Sequence, residues 1–165
     1  MPKFNHPRNF PKPETSIEKT LFHKARVSEL LSSAAMELLQ RGAVHDDSKF
    51  EPIEADRLRQ MDELIAREGN VAFGSPEYEE RKKLLGPMLT EHYRRNSHHP
   101  EHFGNGVNGM NLFDVLEMLL DWKAASERGE AHVLGLKAGV AKHAIDAQLA
   151  EILENTARHY GWKLD

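Results

Sequence analysis

The segment Leu112-Phe-Asp-Val-Leu-Glu-Met-Leu-Leu-Asp-Trp122 is the clearest indication of the fold. It opens a mostly apolar stretch, residues 112–128, whose pattern predicts a helix. Asp121 shares a helix face with Met118 and Ala125, because residues three and four positions apart are neighbours on a helix. A carboxylate in such surroundings tends to be buried, and a buried charge must be paired or bound to a metal. The segment therefore predicts a core helix that carries a metal ligand or one half of a salt bridge.

Further helices are predicted on both sides of this segment, and no strand alternation persists anywhere in the chain. Apolar residues at three-to-four spacing predict a long first helix over residues 15–41, with one buried stripe and Gly42 just beyond its end. The same reasoning predicts helices at 53–67, at 76–96 with a bend at Gly86-Pro87, and at 139–160. We therefore expect an all-α fold, a single-domain bundle of five to six helices.

The bulk composition limits the class of protein. Residues 1–14 contain four prolines and predict an extended arm, and residues 15–165 are enough for one helical domain. The net charge of −4 disfavours binding to duplex nucleic acid. No apolar run is long enough to span a membrane and the N-terminus lacks an apolar signal core, so we expect a cytoplasmic protein. Because the chain has no cysteine, a transition-metal site must use His, Asp and Glu.

Histidines are numerous, ten in 165 residues, and one of them precedes an aspartate in Val44-His-Asp-Asp-Ser-Lys-Phe50. Histidine and carboxylate together are common ligands of Zn, Fe, Mn and Co. Adjacent residues on a helix point about 100° apart, so His45 and Asp46 can share a metal if they lie at a helix start. The alternative is a solvated helix N-terminus, which acidic residues also favour.

A second group of histidines follows the helix that ends near residue 96. The loop after this helix can fold His98 or His99 back beside His92, which would make half of a second metal site. Arg94 and Arg95 lie in the same stretch and could clamp a phosphate. The alternative for this cluster is a solvated, proton-buffering surface. His23, on the first helix, would by itself be a core or boundary residue.

Taken in chain order, these residues resemble the HD-domain superfamily of metal-dependent phosphohydrolases, which are all-α. The order is His23, then His45-Asp46, then His92 with His98, then Asp121. The segments His45-Asp-Asp-Ser-Lys-Phe50 and Asn96-Ser-His-His-Pro-Glu-His102 are also similar to an uncharacterised HD-like family of bacteria and phages. The resemblance covers about residues 15–128.

The resemblance implies a set of metal ligands. The residues that match the first-metal ligands are His23, His45, Asp46 and Asp121. The residues that match the second-metal ligands are His92 and either His98 or His99, with Asp46 as the bridge. The implied cofactor is one or two divalent transition metals, Mn, Fe, Co, Zn or Ni, with Mg as a further candidate.

The implied reaction is the hydrolysis of a phosphoester by metal-activated water, on a nucleotide or another small phosphorylated metabolite. The residues expected to neutralise the phosphate are Lys49, Arg94, Arg95 and Lys123. Glu91 or Asp47 would transfer the proton, because each adjoins an expected ligand.

Two other functions remain open at this point. A few proteins of the superfamily hold two irons with the same ligand order and oxidise substrates with O₂, so a di-iron oxygenase is one alternative. The other is a non-enzymatic helical interaction protein whose histidines are structural. A homo-oligomer is also open, since the apolar last helix could be core or interface.

Overall fold

The computed structural model describes residues 13–69, 71, 75–128 and 132–165, and these residues form an almost entirely helical protein. The helices are α1 Ser16–Val44, α2 Pro52–Glu68, α3 Pro76–Leu84, α4 Gly86–Arg95, α5 Leu112–Ser126, α6 Leu136–Lys142 and α7 Ala147–His159. Short 3₁₀ helices lie at Asp47–Phe50, Pro100–His102 and Gly106–Gly109. Two-residue strands, β1 Val133–Leu134 and β2 Lys163–Leu164, pair in parallel. The predicted all-α fold is confirmed.

The chain divides into two compact units, Met1–Gln40 and Arg41–Asp165, and α1 runs from the first into the second. None of the residues of α1 is buried, and Leu31 is 65% exposed. The prediction of a buried stripe on this helix was therefore wrong. Within the described residues of the first unit, α1 has no second helix against which the stripe could pack. The arm predicted for residues 1–14 lies almost wholly outside the described residues, and the single domain at 15–165 stays a prediction.

The hydrophobic core of the second unit is built by α5, α6, α7 and β1. Its buried members are Met118, Leu119, Leu134, Leu136, Ile145, Leu153 and Ala157. The ring of Trp122 packs against this core and closely approaches the backbone of α6. A Cβ atom on Gly139 would come within 2.5 Å of that ring, so any larger residue at this position would force the ring or the helix to shift.

The ends of several helices differ from the prediction. α1 passes through Gly42 and ends at Val44, because the left-handed residue that follows it is Asp46, with φ of 59°. The single helix predicted at 139–160 is two helices. The chain breaks between them because Ala144 has φ of 49° and the carboxylate of Asp146 caps the first turn of α7.

The interruption predicted at Gly86-Pro87 is confirmed, since α3 ends at Leu84 and α4 begins at Gly86. The predicted helix start at residue 76 is also confirmed, and the hydroxyl of Ser75 caps it by accepting a hydrogen bond from the backbone N–H of Tyr78. At the start of α5, Asn111 and Asp114 form a reciprocal capping box. This cap fixes where α5 begins and therefore where its polar side chains lie.

Candidate metal centre

His45 and Asp46 form the turn between α1 and the first 3₁₀ helix, and Asp46 is the N-cap of that short helix. The left-handed conformation of Asp46 is uncommon for a residue with a side chain, although Asp tolerates it better than most. It turns the chain so that the two neighbouring side chains face each other, with 3.6 Å between His45 Nε2 and Asp46 Oδ2. The predicted position of the pair at a helix start is thus confirmed for this 3₁₀ helix.

The histidines that follow α4 converge on the same aspartate. Asp46 Oδ1 lies 3.3 Å from Nε2 of His92 and 3.5 Å from Nε2 of His98. Nε2 of His99 lies 2.9 Å from that of His92. The loop therefore folds inward as predicted, and it brings both members of the doublet to His92 instead of one.

Asn96 fastens the end of α4 to the 3₁₀ helix that follows Asp46. Its amide donates one hydrogen bond to Ser48 Oγ and one to the main-chain oxygen of His92, each 2.8 Å long. These two bonds hold the loop between His92 and His98 next to the turn that carries Asp46. The position of the second histidine group thus follows from local hydrogen bonding.

α5 closes the cluster from another side. Asp121 Oδ1 lies 3.6 Å from Nε2 of His45. Glu117 lies one turn earlier on α5, with its Oε1 2.8 Å from His45 Nδ1 and 3.2 Å from His98 Nδ1. Sequence reasoning missed Glu117, although the spacing of Asp114, Glu117 and Asp121 by three and then four residues indicates one acidic face on an otherwise apolar helix.

Ligand atoms of Asp46, His92, His98 and His99 all lie within 4.8 Å of one another. Asp46 Oδ1 and His98 Nε2 are buried and have no hydrogen-bond partner, although they lie 3.5 Å apart. Buried polar atoms in proteins are nearly always paired. A carboxylate oxygen and a ring nitrogen that face each other without a hydrogen bond fit a cation between them, so this cluster has the donor set to bind a metal.

Glu54, on α2, is a second residue that sequence reasoning missed, and no sequence signal distinguishes it from other glutamates near a helix start. It is fully buried, and its Oε2 lies 2.9 Å from Nδ1 of His92. A carboxylate only accepts, so the proton of the neutral ring lies on Nδ1. Nε2 of His92 therefore keeps a lone pair, next to Nε2 of His99 and Oδ1 of Asp46, as in histidine ligands supported by a carboxylate.

The pKa values of two histidines in the cluster, His45 and His99, are shifted in opposite directions. The neighbouring Asp121 carboxylate raises the pKa of His45 to about 9, with burial opposing it and Glu117 and Asp46 adding to it. Burial lowers the pKa of His99 to about 4, and the nearby His98 and His92 add to this effect. His99 is thus neutral at pH 7 and can offer a ring nitrogen, whereas a cation at Nε2 of His45 must displace a proton.

Exposure differs from one side of the cluster to the other. The side chains of His92 and His98 are 4% and 3% exposed, whereas those of Asp121 and Lys49 are 25% and 39% exposed. The ammonium of Lys49 pairs with Asp46 Oδ2 at this more exposed edge. A small solute would therefore reach the cluster from the side of Asp121 and Lys49.

Several predicted site residues lie outside the cluster. Arg94, two positions after His92, points to the opposite face of α4 and pairs with Glu91. Arg95 pairs with Glu51. All of these ion pairs are solvent-exposed, so their contribution to stability is small.

Asp47 is in neither group of ligand atoms, and Lys123 has a partner of its own. The ammonium of Lys123 pairs with Glu127 and lies 5.9 Å from the centre of the Trp162 ring. Asp47 is exposed at the first position of its 3₁₀ helix. His23 is exposed on the part of α1 that belongs to the first unit and is in neither group of ligand atoms. The roles expected for these three residues stay predictions.

The chain belongs to the DUF5662 family, a family of unknown function, which matches residues 12–159. No characterised protein matches the sequence. No solved structure matches it either. Among the described residues, no helix combines the length and the apolar character needed to cross a membrane.

Proposed function

We propose that the protein is a metal-dependent phosphohydrolase whose histidine and aspartate cluster holds one or two divalent transition metals. The observation that carries this proposal is the buried, unpartnered pair of Asp46 Oδ1 and His98 Nε2. Histidine with carboxylate suits Mn, Fe, Co, Zn or Ni, and the absence of thiolates makes a purely structural zinc site less typical.

The two oxygens of Asp46 face different partners, which supports a bridging role for this carboxylate. Oδ1 faces His92 and His98, whereas Oδ2 faces His45, which in turn lies beside Asp121. One half-site would use the first group and the other half-site the second. A tetrahedral ion has four ligands. Because the cluster has six residues that could supply a ligand, we favour two metals; these residues are His45, Asp46, His92, His98, His99 and Asp121.

A metal in this position would lower the pKa of a bound water toward 7 and polarise a phosphoryl oxygen. The residues of the chain supply the rest of the site. Lys49 lies at the exposed edge, where its ammonium can leave Asp46 and pair with a phosphate oxygen of the substrate. Its location supports a small phosphorylated substrate, such as a nucleotide, that enters from that edge.

The di-iron oxygenase would use the same donors, and the metal itself distinguishes the two enzymes. A tightly held iron pair with consumption of O₂ would favour the oxygenase. The interaction protein with structural histidines fits less well. Structural histidines satisfy their own hydrogen bonds, whereas His98 Nε2 is left unpaired.

The test compares Asp46→Asn with Asp47→Asn, a matched change at the adjacent exposed position. Asn tolerates the left-handed conformation, so the first variant removes a ligand charge without new backbone strain. We expect its affinity for Zn²⁺ or Mn²⁺ to fall at least about 100-fold, because loss of a mere supporting partner already costs about 10–100-fold. Asp47→Asn should bind metal like the wild type, as measured by calorimetric titration.

Activity is tested by phosphate release from a broad panel of nucleotides and sugar phosphates, with the wild-type chain loaded with each candidate metal in turn. We expect release from at least one substrate and its loss in Asp46→Asn. If the loaded wild type binds metal but releases phosphate from no member of the panel, the phosphohydrolase proposal is wrong.

A further inference from the structure

We propose that Glu117 is a positioning residue whose single carboxylate oxygen orients both His45 and His98 toward the metal. The inference rests on the proposed metal binding. Oε1 of Glu117 lies 2.8 Å from Nδ1 of His45 and 3.2 Å from Nδ1 of His98. Because a carboxylate only accepts, Nδ1 of His45 carries the hydrogen of its hydrogen bond, and the ion-pair contact at 3.2 Å favours a hydrogen on Nδ1 of His98 as well. In the neutral rings, Nε2 is then the atom with the lone pair, and in both rings it faces Asp46.

The same three residues could instead hold a metal themselves, since Glu117 Oε1 and the two Nδ1 atoms are close together. The hydrogen bonding of these atoms argues against this. The separation of 2.8 Å between Glu117 and His45 is that of a charge-assisted hydrogen bond. A metal at Nδ1 would also leave His98 Nε2 buried without a partner.

Arg41 holds the Glu117 carboxylate in the position that this role requires. Its guanidinium donates to Glu117 Oε2 over 2.7 Å and to Asp114 Oδ1 over 2.8 Å. Ser97, the residue before His98, donates its hydroxyl to the same oxygen of Asp114 over 2.6 Å. Because Arg41 occupies Oε2, Oε1 is left for the two histidines. The network joins the end of α1, the loop after α4 and α5 behind the ligands.

The contact between Glu54 and His92 repeats this arrangement independently on α2. There too a carboxylate oxygen accepts from Nδ1, over 2.9 Å, and Nε2 faces Asp46. Three of the histidines are thus held by carboxylates that lie behind them. Such outer partners fix the tautomer and raise the basicity of a histidine ligand.

The test is Glu117→Gln, with Glu151→Gln on the exposed side of α7 as the control. Metal-free full-length chains are titrated with Zn²⁺ alone. We expect the variant to bind zinc about 10–100-fold more weakly than the wild type, and the control to match the wild type. A role confined to folding would instead lower the unfolding temperature and leave the zinc affinity of the folded variant unchanged, which would overturn the inference.

Nitrogen NMR of the imidazole rings in zinc-loaded wild type gives a second readout that does not depend on the folding of a variant. We expect hydrogen on Nδ1 and zinc on Nε2 in both His45 and His98. Zinc on Nδ1 of either ring would overturn the inference while leaving the metal proposal intact. A wild type that takes up no zinc, manganese or iron would overturn the proposed function, and the inference with it.

Discussion

The two faces of α5 contact different surroundings, although both belong to one helix. On one face, Leu119 is completely buried, and Val115 and Trp122 pack against the same apolar core, which α6 and α7 share. On the other face, Glu117 and Asp121 lie beside the histidines of the cluster. The apolar face needs only water exclusion, whereas the acidic face needs a specific partner for each oxygen.

This difference has an energetic consequence. Burying one large aliphatic side chain stabilises a fold by about 1.5–3 kcal/mol, in any well-packed geometry. Burying charged groups costs free energy unless each is paired and hydrogen-bonded, and in this cluster Asp46 Oδ1 and Glu54 Oε1 have no hydrogen-bond partner. We infer that the apolar face of α5 stabilises the fold by burial alone, whereas the contribution of the acidic face depends on the partners that its carboxylates contact.

The largest effect is expected from a cavity in the apolar region. Leu153 on α7 is 2% exposed, so Leu153→Ala should lower the free energy of unfolding by about 2–5 kcal/mol. Because Leu153 is not among the cluster residues, the zinc affinity of the folded variant should equal that of the wild type. Urea unfolding and zinc titration measure the two quantities. If Leu153→Ala lost zinc affinity as well as stability, the apolar and acidic faces of α5 would be energetically coupled, contrary to this account.

A smaller loss is expected where α6 meets Trp122. Gly139→Ala places a methyl group 2.5 Å from the ring, and such overpacking costs about 1–3 kcal/mol, offset in part by the better helix propensity of alanine. Gly135→Ala is the matched control, because nothing lies within 4 Å of its Cβ. Thermal unfolding should rank Gly139→Ala below both wild type and control. If Gly139→Ala and Gly135→Ala were equally stable, the close approach of Trp122 to Gly139 would not restrict the residue at position 139.

The smallest effect is expected behind the cluster, at Asp114. Burial acts to raise the pKa of this carboxyl, but hydrogen bonds from Ser97, Asn111 and Arg41 hold the pKa below its ordinary value. Asp114→Asn should therefore lower stability by about 1–2 kcal/mol at pH 7.

The pH dependence of this loss has a definite sign. Since the pKa of Asp114 is depressed in the folded state, its contribution is present above the unfolded value near 3.8 and is lost as the pH falls through the lower folded value. The stability gap between wild type and Asp114→Asn should thus close in acid, as followed by urea unfolding from pH 7 downward. A gap that stayed constant with pH would contradict the assigned charge interactions.

The apolar region was largely predictable from the sequence, because its helices follow from residue periodicity. The bend before α4 and the mostly apolar α5 are examples. The break between α6 and α7 was not predictable, since the apolar pattern of the sequence does not indicate that Ala144 adopts a left-handed conformation. Likewise, the apolar stripe of α1 predicted a burial that the structure does not show, because the periodicity of a helix does not specify what the helix packs against.

The candidate site was predictable in its residue types and only partly in its members. Residue chemistry and chain order pointed to His45, Asp46, His92, His98 and Asp121, which the structure brings together. Glu54 and Glu117 were missed, because a supporting carboxylate is defined by which ring nitrogen it meets, and that depends on tertiary packing. The turn at Asp46 was also missed, because it is one backbone conformation rather than a residue pattern.

The most direct test of the account is anomalous X-ray scattering from crystals of the metal-loaded chain, recorded at the absorption edge of the added metal. We predict a peak beside Asp46, with Nε2 of His92 and His98 at about 2.0–2.2 Å from it. The acidic face of α5 would then support the ligands from behind, as proposed. A metal-loaded crystal with no peak at Asp46, or with a peak joined to Glu117 and the Nδ1 atoms of His45 and His98, would contradict the account.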